Sequence, residues 1–104
     1  MPIGSLKVGK WVVELDDETL WRGPDGFCFP TRMTALRAVA AVKKDPLANS
    51  DSLEEVDDGC FVYTYTGPGT GSFGEHYYIW HLTEANIHDF EKRINEAVSE
   101  KIKR

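Results

Sequence analysis

The strongest structural signal in this chain is a pair of alternating segments separated by a run of glycines. The first segment, CFVYTYT at residues 60–66, alternates aromatic residues with smaller, mostly β-branched ones. The second, HYYIWHL at residues 76–82, has a similar alternation. Two such strands, joined by a glycine-rich stretch, predict an antiparallel hairpin. The rest of the chain must therefore fold around a sheet.

The glycines between these strands match a known phosphate-binding spacing. Gly69, Gly71 and Gly74 form G-x-G-x-x-G, which binds a nucleotide where a strand runs into a helix N-terminus. Here a strand follows, so the pattern favours a long hairpin loop over a phosphate loop. The loop exceeds the roughly two to five residues usual for hairpins. It carries Phe73 at its tip, and an apolar ring there is typical of a recognition loop.

Three further extended segments precede the first helix. The β-branched segment KWVVEL at residues 10–15 predicts a strand, and LWR at residues 20–22 predicts its return. Residues 23–26 carry turn-forming Gly and Pro, and FCF at residues 27–29 predicts another extended segment. By contrast, residues 47–59 are polar and acidic, and we expect a connection containing at most a helical turn.

Two segments change to the spacing of an amphipathic helix. Apolar residues fall three or four apart after Thr31, which predicts a helix capped by Thr31 and ended before Pro46. The same spacing after Thr83 predicts a second helix, with Thr83 as its cap. The predicted fold class is α+β: a small two-layer sandwich spanning residues 1–104 as one domain. Its antiparallel sheet has four to five strands, and both helices pack on one face.

Charge is distributed unevenly along the chain. Residues 45–91 carry ten acidic side chains and no Lys or Arg, whereas the net charge of the whole chain is −5. Phosphate binding needs basic side chains, so we do not expect direct binding to nucleic acid. An acidic surface is instead suited to docking on a basic one. Acidity that only keeps the domain soluble is the competing interpretation.

Other chemistry-bearing residues lack the spacing of a catalytic or metal site. The three histidines are His76, His81 and His88, and no C-x-x-C or H-E-x-x-H pattern accompanies them. Cys28 and Cys60 lie in apolar strand segments, where buried and unreactive thiols are usual. The acidic residues 51–59 do not match a calcium-binding loop. We therefore expect no metal, no cofactor and no enzymatic activity.

The sequence also predicts a cytoplasmic protein. No charged and apolar leader is evident at the start, and no segment has the roughly 20 apolar residues of a membrane helix. In that compartment Cys28 and Cys60 are expected to be reduced.

These observations favour a small acidic protein-binding module. It would dock on a basic surface of a nucleic-acid-handling complex and inhibit that complex by competing with nucleic acid. Phage or mobile-element inhibitors, such as anti-CRISPR and anti-restriction proteins, share this general size and charge as a class, without a sequence match. The predicted partner-contacting residues are Asp51, Glu54, Glu55, Asp57, Asp58, Tyr63, Tyr65, Phe73, Glu75 and Tyr77.

Two alternatives from other classes stay open. The first is a small-ligand or nucleotide-binding domain or enzyme that uses the glycine-rich loop as a flap. The second is a structural subunit whose strand edges pair between two copies to form a homodimer.

Overall fold

The described residues form a four-stranded antiparallel sheet with two helices, which confirms the predicted α+β class. The computed structural model describes residues 6–23 and 26–102, of which residues 95–102 are described as backbone only. The elements are β1 (Trp11–Leu15), α1 (Arg32–Lys43), a 3-10 turn (Ser50–Ser52), β2 (Leu53–Asp57), β3 (Cys60–Tyr65), β4 (Glu75–His81) and α2 (Ile87–Ile102). The strand order across the sheet is β1-β4-β3-β2. No helix in the described part of the chain is long and apolar enough to cross a membrane.

The predicted hairpin is present as β3 and β4. The two strands pair in antiparallel register from Cys60 opposite Trp80 to Tyr65 opposite Glu75. Residues 66–74 form the loop between them and lead into a strand. The glycine pattern therefore lacks the helix N-terminus that a dinucleotide phosphate loop requires, as the sequence had indicated.

The start of α1 is the predicted one, whereas α2 begins later than predicted. The Thr31 hydroxyl accepts a hydrogen bond from the Thr34 amide (3.0 Å), which caps α1. At Thr83 the chain first makes a turn, in which the Asn86 side chain accepts from the Thr83 amide (2.9 Å) and donates to the His81 carbonyl (3.0 Å). These bonds hold residues 83–86 outside the helix, so α2 starts at Ile87.

The helices contact opposite faces of the sheet, which differs from the predicted single helical layer. Ala35, Leu36 and Val39 of α1 form a core with Val13 and Ile79, among others.

Phe90 and Ile94 of α2 instead form a second core with Val12 and Leu82, and the Phe90 ring lies 6.1 Å from Trp80. Glu14 reinforces this contact, because it accepts from Trp80 Nε1 (3.0 Å) and pairs with Arg93. Adjacent strand residues point to opposite faces, so Val12 and Val13 belong to different cores.

The fourth strand is not one of those predicted. β2 lies in the acidic segment expected to be a connection, and a 3-10 turn precedes it. The predicted extended segments at residues 20–22 and 27–29 form only isolated bridges to β1, at Leu20 and Phe29. The pattern did not reveal β2 because all but its first residue is exposed, so it has no buried face to produce an alternation.

Candidate partner-binding surface

The two edges of the sheet differ in how their backbone groups are used. At β1, Trp11 and Phe29 exchange amide-to-carbonyl hydrogen bonds of 2.9 and 2.8 Å. Further along, the Leu15 amide donates to the Thr19 carbonyl and the Trp21 amide to the Val13 carbonyl, both at 2.8 Å. Residues 19–21 and Phe29 therefore cover the outer side of β1.

Among the residues that the structure describes, no segment covers the outer side of β2 in this way. The His81 amide donates to the Gly59 carbonyl (2.7 Å), so the odd-numbered residues of β4 direct their backbone groups toward β3. Continuing this alternation across the sheet places the bonds between β3 and β2 at Val62 opposite Glu54. Glu55 then directs its amide and carbonyl outward, where the described part of the chain offers neither group a backbone partner.

Five carboxylates lie along this uncovered strand and at its ends, and we refer to them together as the acidic edge. Its members are Asp51, Glu54, Glu55, Asp57 and Asp58, and all five are exposed. Within the described residues, none of them forms an ion pair with a basic side chain. The acidic edge is thus a concentration of negative charge that is not neutralised by ion pairs in that part of the structure, although the Arg32 guanidinium lies 4.5 Å from the ring centre of Phe61, the partner of Glu55.

The carboxylates of the acidic edge are distributed over both faces of the sheet. Glu54 lies opposite Val62 and Glu55 opposite Phe61, so their side chains point to different faces of the sheet. A bulge between Glu55 and Asp57 then shifts the register, and Val56 at the bulge is 52% exposed. The negative charge is accordingly presented in two directions from one strand.

Tyr63 and Tyr77 were wrongly predicted to contact a partner. They are only 2% and 6% exposed, because α1 covers their face of the sheet. The Tyr63 hydroxyl donates to the Asp45 carboxylate just beyond the end of α1. Burial is the main cause that raises the pKa of Tyr63 well above its ordinary value, and this hydrogen bond is the second. Both tyrosines therefore act in the core.

Tyr65 and Glu75 lie at the margin of the same core. Lys43 Nζ is 2.6 Å from a Glu75 carboxylate oxygen and 5.6 Å from the centre of the Tyr65 ring. The hydrogen bond to Glu75 is the main cause that raises the pKa of Lys43, and a hydrogen bond to Tyr77 raises it further. Glu75 is already paired with a cation, so it contributes less to a negative surface than the members of the acidic edge.

Phe73 is exposed, as the sequence predicted. Its side chain is 84% accessible and lies near the end of the loop of residues 66–74, which we call the Phe73 loop. Glycine shapes the base of this loop: a Cβ on Gly67 would lie 2.1 Å from the Tyr65 hydroxyl. Gly74 has a φ of 75°, and a Cβ there would lie 2.7 Å from the Tyr65 carbonyl oxygen. The absence of a side chain at Gly67 and Gly74 therefore leaves room for Tyr65 at the base of the loop.

A cleft beside this loop was missed by the sequence analysis. It has a volume of about 280 Å³ and is lined by Leu15, Asp16, Asp17, Glu75, His76 and Tyr77. Asp16 lies 3.3 Å from His76 Nδ1, and hydrogen bonds from Thr19 lower the pKa of Asp17. Asp16 and Asp17 lie outside the acidic segment of residues 45–91, and the pairing of β1 with β4 brings them to the cleft beside Glu75.

The groups needed for nucleophilic or metal chemistry are not gathered together in the described part of the chain. Cys28 and Cys60 are free thiols, and burial raises the pKa of Cys60 to about 11, which disfavours the reactive thiolate. His76 and His81 point to opposite faces of β4, as their odd separation predicted. No group of three or more potential ligands among the described residues is placed to hold a metal ion.

The surface features are therefore the acidic edge and the Phe73 loop. Leu53 at the start of β2 pairs with Tyr63, and the Phe73 loop follows at the end of the same β3 strand. The start of the acidic edge and the Phe73 loop consequently belong to the same end of the sheet. No protein-family model, curated protein or solved structure matches this chain.

Proposed function

We propose that the protein is a non-enzymatic binding module that docks its acidic edge on a basic surface of another protein. One observation carries the proposal: five exposed carboxylates lie along an uncovered strand, without a basic partner in the described part of the chain. Such a field attracts a positively charged surface and disfavours nucleic acid itself.

The class of partner follows from this charge. Extended basic surfaces are used mainly to bind the phosphate backbone of nucleic acids. A protein that occupies such a surface competes with nucleic acid, so the proposed effect on the partner is inhibition. The comparison with phage and mobile-element inhibitors of host nucleases rests on this shared charge and size alone.

Phe73 is proposed as an apolar anchor for the same partner. The loop holds an 84% exposed ring at the sheet end where the acidic edge begins. Aromatic residues that become buried on binding commonly supply much of the affinity of an interface. Charge would then bring the partner to this end of the sheet, and burial of Phe73 would lengthen the lifetime of the complex.

Affinity capture from a host lysate tests the charge component. The bait is the wild-type protein or the Glu54→Lys, Asp57→Lys variant, with nuclease added to remove bridging nucleic acid. A Glu18→Lys, Glu84→Lys variant is the matched control, because both glutamates are exposed and lie outside the acidic edge.

We expect wild type and control to retain the same basic protein, and the edge variant to lose it. Added salt should weaken retention by wild type. The captured protein is then mixed with its nucleic acid to measure competition. Equal retention by both charge-reversed variants, or a captured protein that binds nucleic acid equally well in the complex, would contradict the proposal.

Replacement of Phe73 tests the apolar component. Phe73→Ala should reduce the affinity for the captured partner by roughly 10-fold or more, with thermal unfolding unchanged. Leu47→Ala is the control, because Leu47 is 81% exposed and is not part of the proposed surface. Equal affinities of the two variants would exclude Phe73 as an anchor.

A further inference from the structure

We infer that the acidic edge binds an extended, basic peptide segment as an additional strand of the sheet. The inference rests on the proposed function, because it specifies how the partner is bound. Strand addition to an open edge is a known mode of peptide recognition, in which backbone hydrogen bonds give affinity and alternate side chains give specificity.

The backbone of β2 has free hydrogen-bonding groups on its outer side. Glu55 directs its amide and carbonyl away from β3, and neither has a backbone partner within the described residues. Leu53 directs its groups to the same side, where its amide is already bonded to the Ser50 carbonyl. The Leu53 carbonyl and both Glu55 groups therefore remain for an incoming strand. The bulge after Glu55 ends the regular stretch, so the incoming segment is short.

The side chains of β2 present negative charge on both faces of the sheet. Glu54 and Glu55 point to opposite faces of the sheet. Successive residues of an added strand also alternate between these faces, so basic side chains at neighbouring positions would each meet a carboxylate. Val56, 52% exposed at the bulge, offers an apolar contact beside them. This arrangement selects a segment rich in Lys or Arg over an acidic or wholly apolar one.

The same charges disfavour a second copy of this chain as the occupant. Pairing two β2 edges would bring the Glu54 and Glu55 side chains of both copies together, and like charges on paired strands are destabilising. Charge on an exposed edge is a recognised means of preventing such self-association. A basic segment removes this repulsion and uses the same free backbone groups.

A pair of synthetic peptides tests whether the backbone is used. The probe is a fluorescein-labelled peptide that repeats Lys-Lys-Thr-Thr, in which Thr favours an extended strand and the paired Lys residues place a charge on each face. The control peptide has the same sequence with N-methyl groups on all of its backbone amides, which preserve its charge and remove the hydrogen-bond donors of both strand edges. Binding is measured by fluorescence anisotropy at low ionic strength. We expect the methylated peptide to bind roughly 10-fold more weakly or worse.

Two protein variants locate the interaction on β2. Glu55→Pro removes both the outward amide and the charge, whereas Glu55→Thr removes the charge and keeps the amide. The unmodified peptide should bind the Pro variant more weakly than the Thr variant. Thermal unfolding is measured first. If the Pro variant does not fold, hydrogen exchange of the wild-type Glu55 amide replaces it, and added peptide should slow that exchange.

The outcomes separate this inference from the proposed function. Equal binding of both peptides would show attraction by charge alone, which overturns strand addition and leaves the proposed function standing. Failure of both peptides to bind, while the lysate partner is still captured, also overturns the inference alone. A wild-type dimer in solution that Glu55→Pro dissociates would assign the edge to a second copy instead. Loss of both peptide binding and lysate capture would count against both proposals.

Discussion

The two edges of the sheet differ in how they avoid pairing their outward backbone groups with similar edges of other molecules. β1 is covered by residues 19–21 and by Phe29, whose backbone groups bond to it, and the Phe29 side chain enters the core. β2 has carboxylates on both faces and a bulge, with no covering segment in the described structure. One edge is thus closed by packing, whereas the other is kept from associating with similar edges by charge.

The difference indicates that structural and recognition roles are separated across the sheet. Closing β1 buries apolar surface and satisfies backbone groups, both of which stabilise the fold. Charging β2 adds little to stability, since exposed and uncompensated carboxylates repel one another. Substitutions at the closed edge should therefore change the free energy of unfolding, and those at the open edge should change association.

The largest expected effect is at Phe29. Phe29→Ala should lower the free energy of unfolding by about 3–5 kcal/mol, because a buried ring is removed from the core. Val56→Ala on the open edge should change it by less than about 0.5 kcal/mol, because Val56 is half exposed. Urea unfolding measures both, and Phe29→Leu gives an intermediate case if the Ala variant does not fold. Similar losses at Phe29 and Val56 would remove the distinction between the edges.

Alkaline pH tests whether the Cys60 thiol is shielded from solvent inside the sheet. Burial raises the Cys60 pKa from 9.0 to about 11. The negative charges of Glu14 in β1 and Asp57 in β2 make smaller contributions in the same direction. Above pH 9 the unfolded chain loses this proton and the folded protein keeps it, so stability falls as the pH rises toward 11. The loss attributable to Cys60 should approach roughly 2–3 kcal/mol. Cys60→Ala should show a shallower decline in urea unfolding across this range. An identical decline would mean that the Cys60 thiol is not shielded.

The Tyr63 hydroxyl should have a moderate effect. Tyr63→Phe removes the hydrogen bond to Asp45 and should cost about 1 kcal/mol, because Asp45 is partly exposed and water replaces some of the loss. Tyr65→Phe is the control, since the Tyr65 hydroxyl has no hydrogen bond within the described residues. It should change stability by less than about 0.5 kcal/mol. Equal effects in thermal unfolding would indicate that the link between α1 and β3 does not contribute.

The smallest expected effect is on the acidic edge itself. Glu54→Gln combined with Glu55→Gln should leave stability within about 0.5 kcal/mol of wild type, with any change toward greater stability. Added salt should reduce even that difference, because exposed charges are screened. Urea unfolding at two ionic strengths measures it. A marked destabilisation would show that these carboxylates have a structural role.

The elements with a buried face were predictable from the sequence, and those without one were not. β3 and β4 alternate clearly, and α1 has a buried stripe preceded by the Thr31 cap. β2 lacks this signal because it is exposed on both faces. The position of α2 also escaped prediction, since a local apolar stripe does not specify which face of a distant sheet it will cover.

For the surface, the sequence revealed the charge and the exposed Phe73 but not their arrangement. Tyr63 and Tyr77 were expected outside because both faces of the hairpin carry aromatic residues. Their burial depends on which face α1 covers, and that is decided by packing across the whole sheet. Asp16 reaches the cleft only through the pairing of β1 with β4, a contact between distant parts of the chain.

The strand order also has a kinetic consequence. β2, β3 and β4 follow one another in sequence and pair with their neighbours, so this part of the sheet can form from local contacts. β1 comes first in the chain but pairs with β4, and the bond from Trp80 to Glu14 spans 66 positions. During synthesis, β1 must therefore wait until β4 has emerged from the ribosome before it can pair. We expect docking of β1 and its covering segment to be the slow step of folding, because it closes the longest loop.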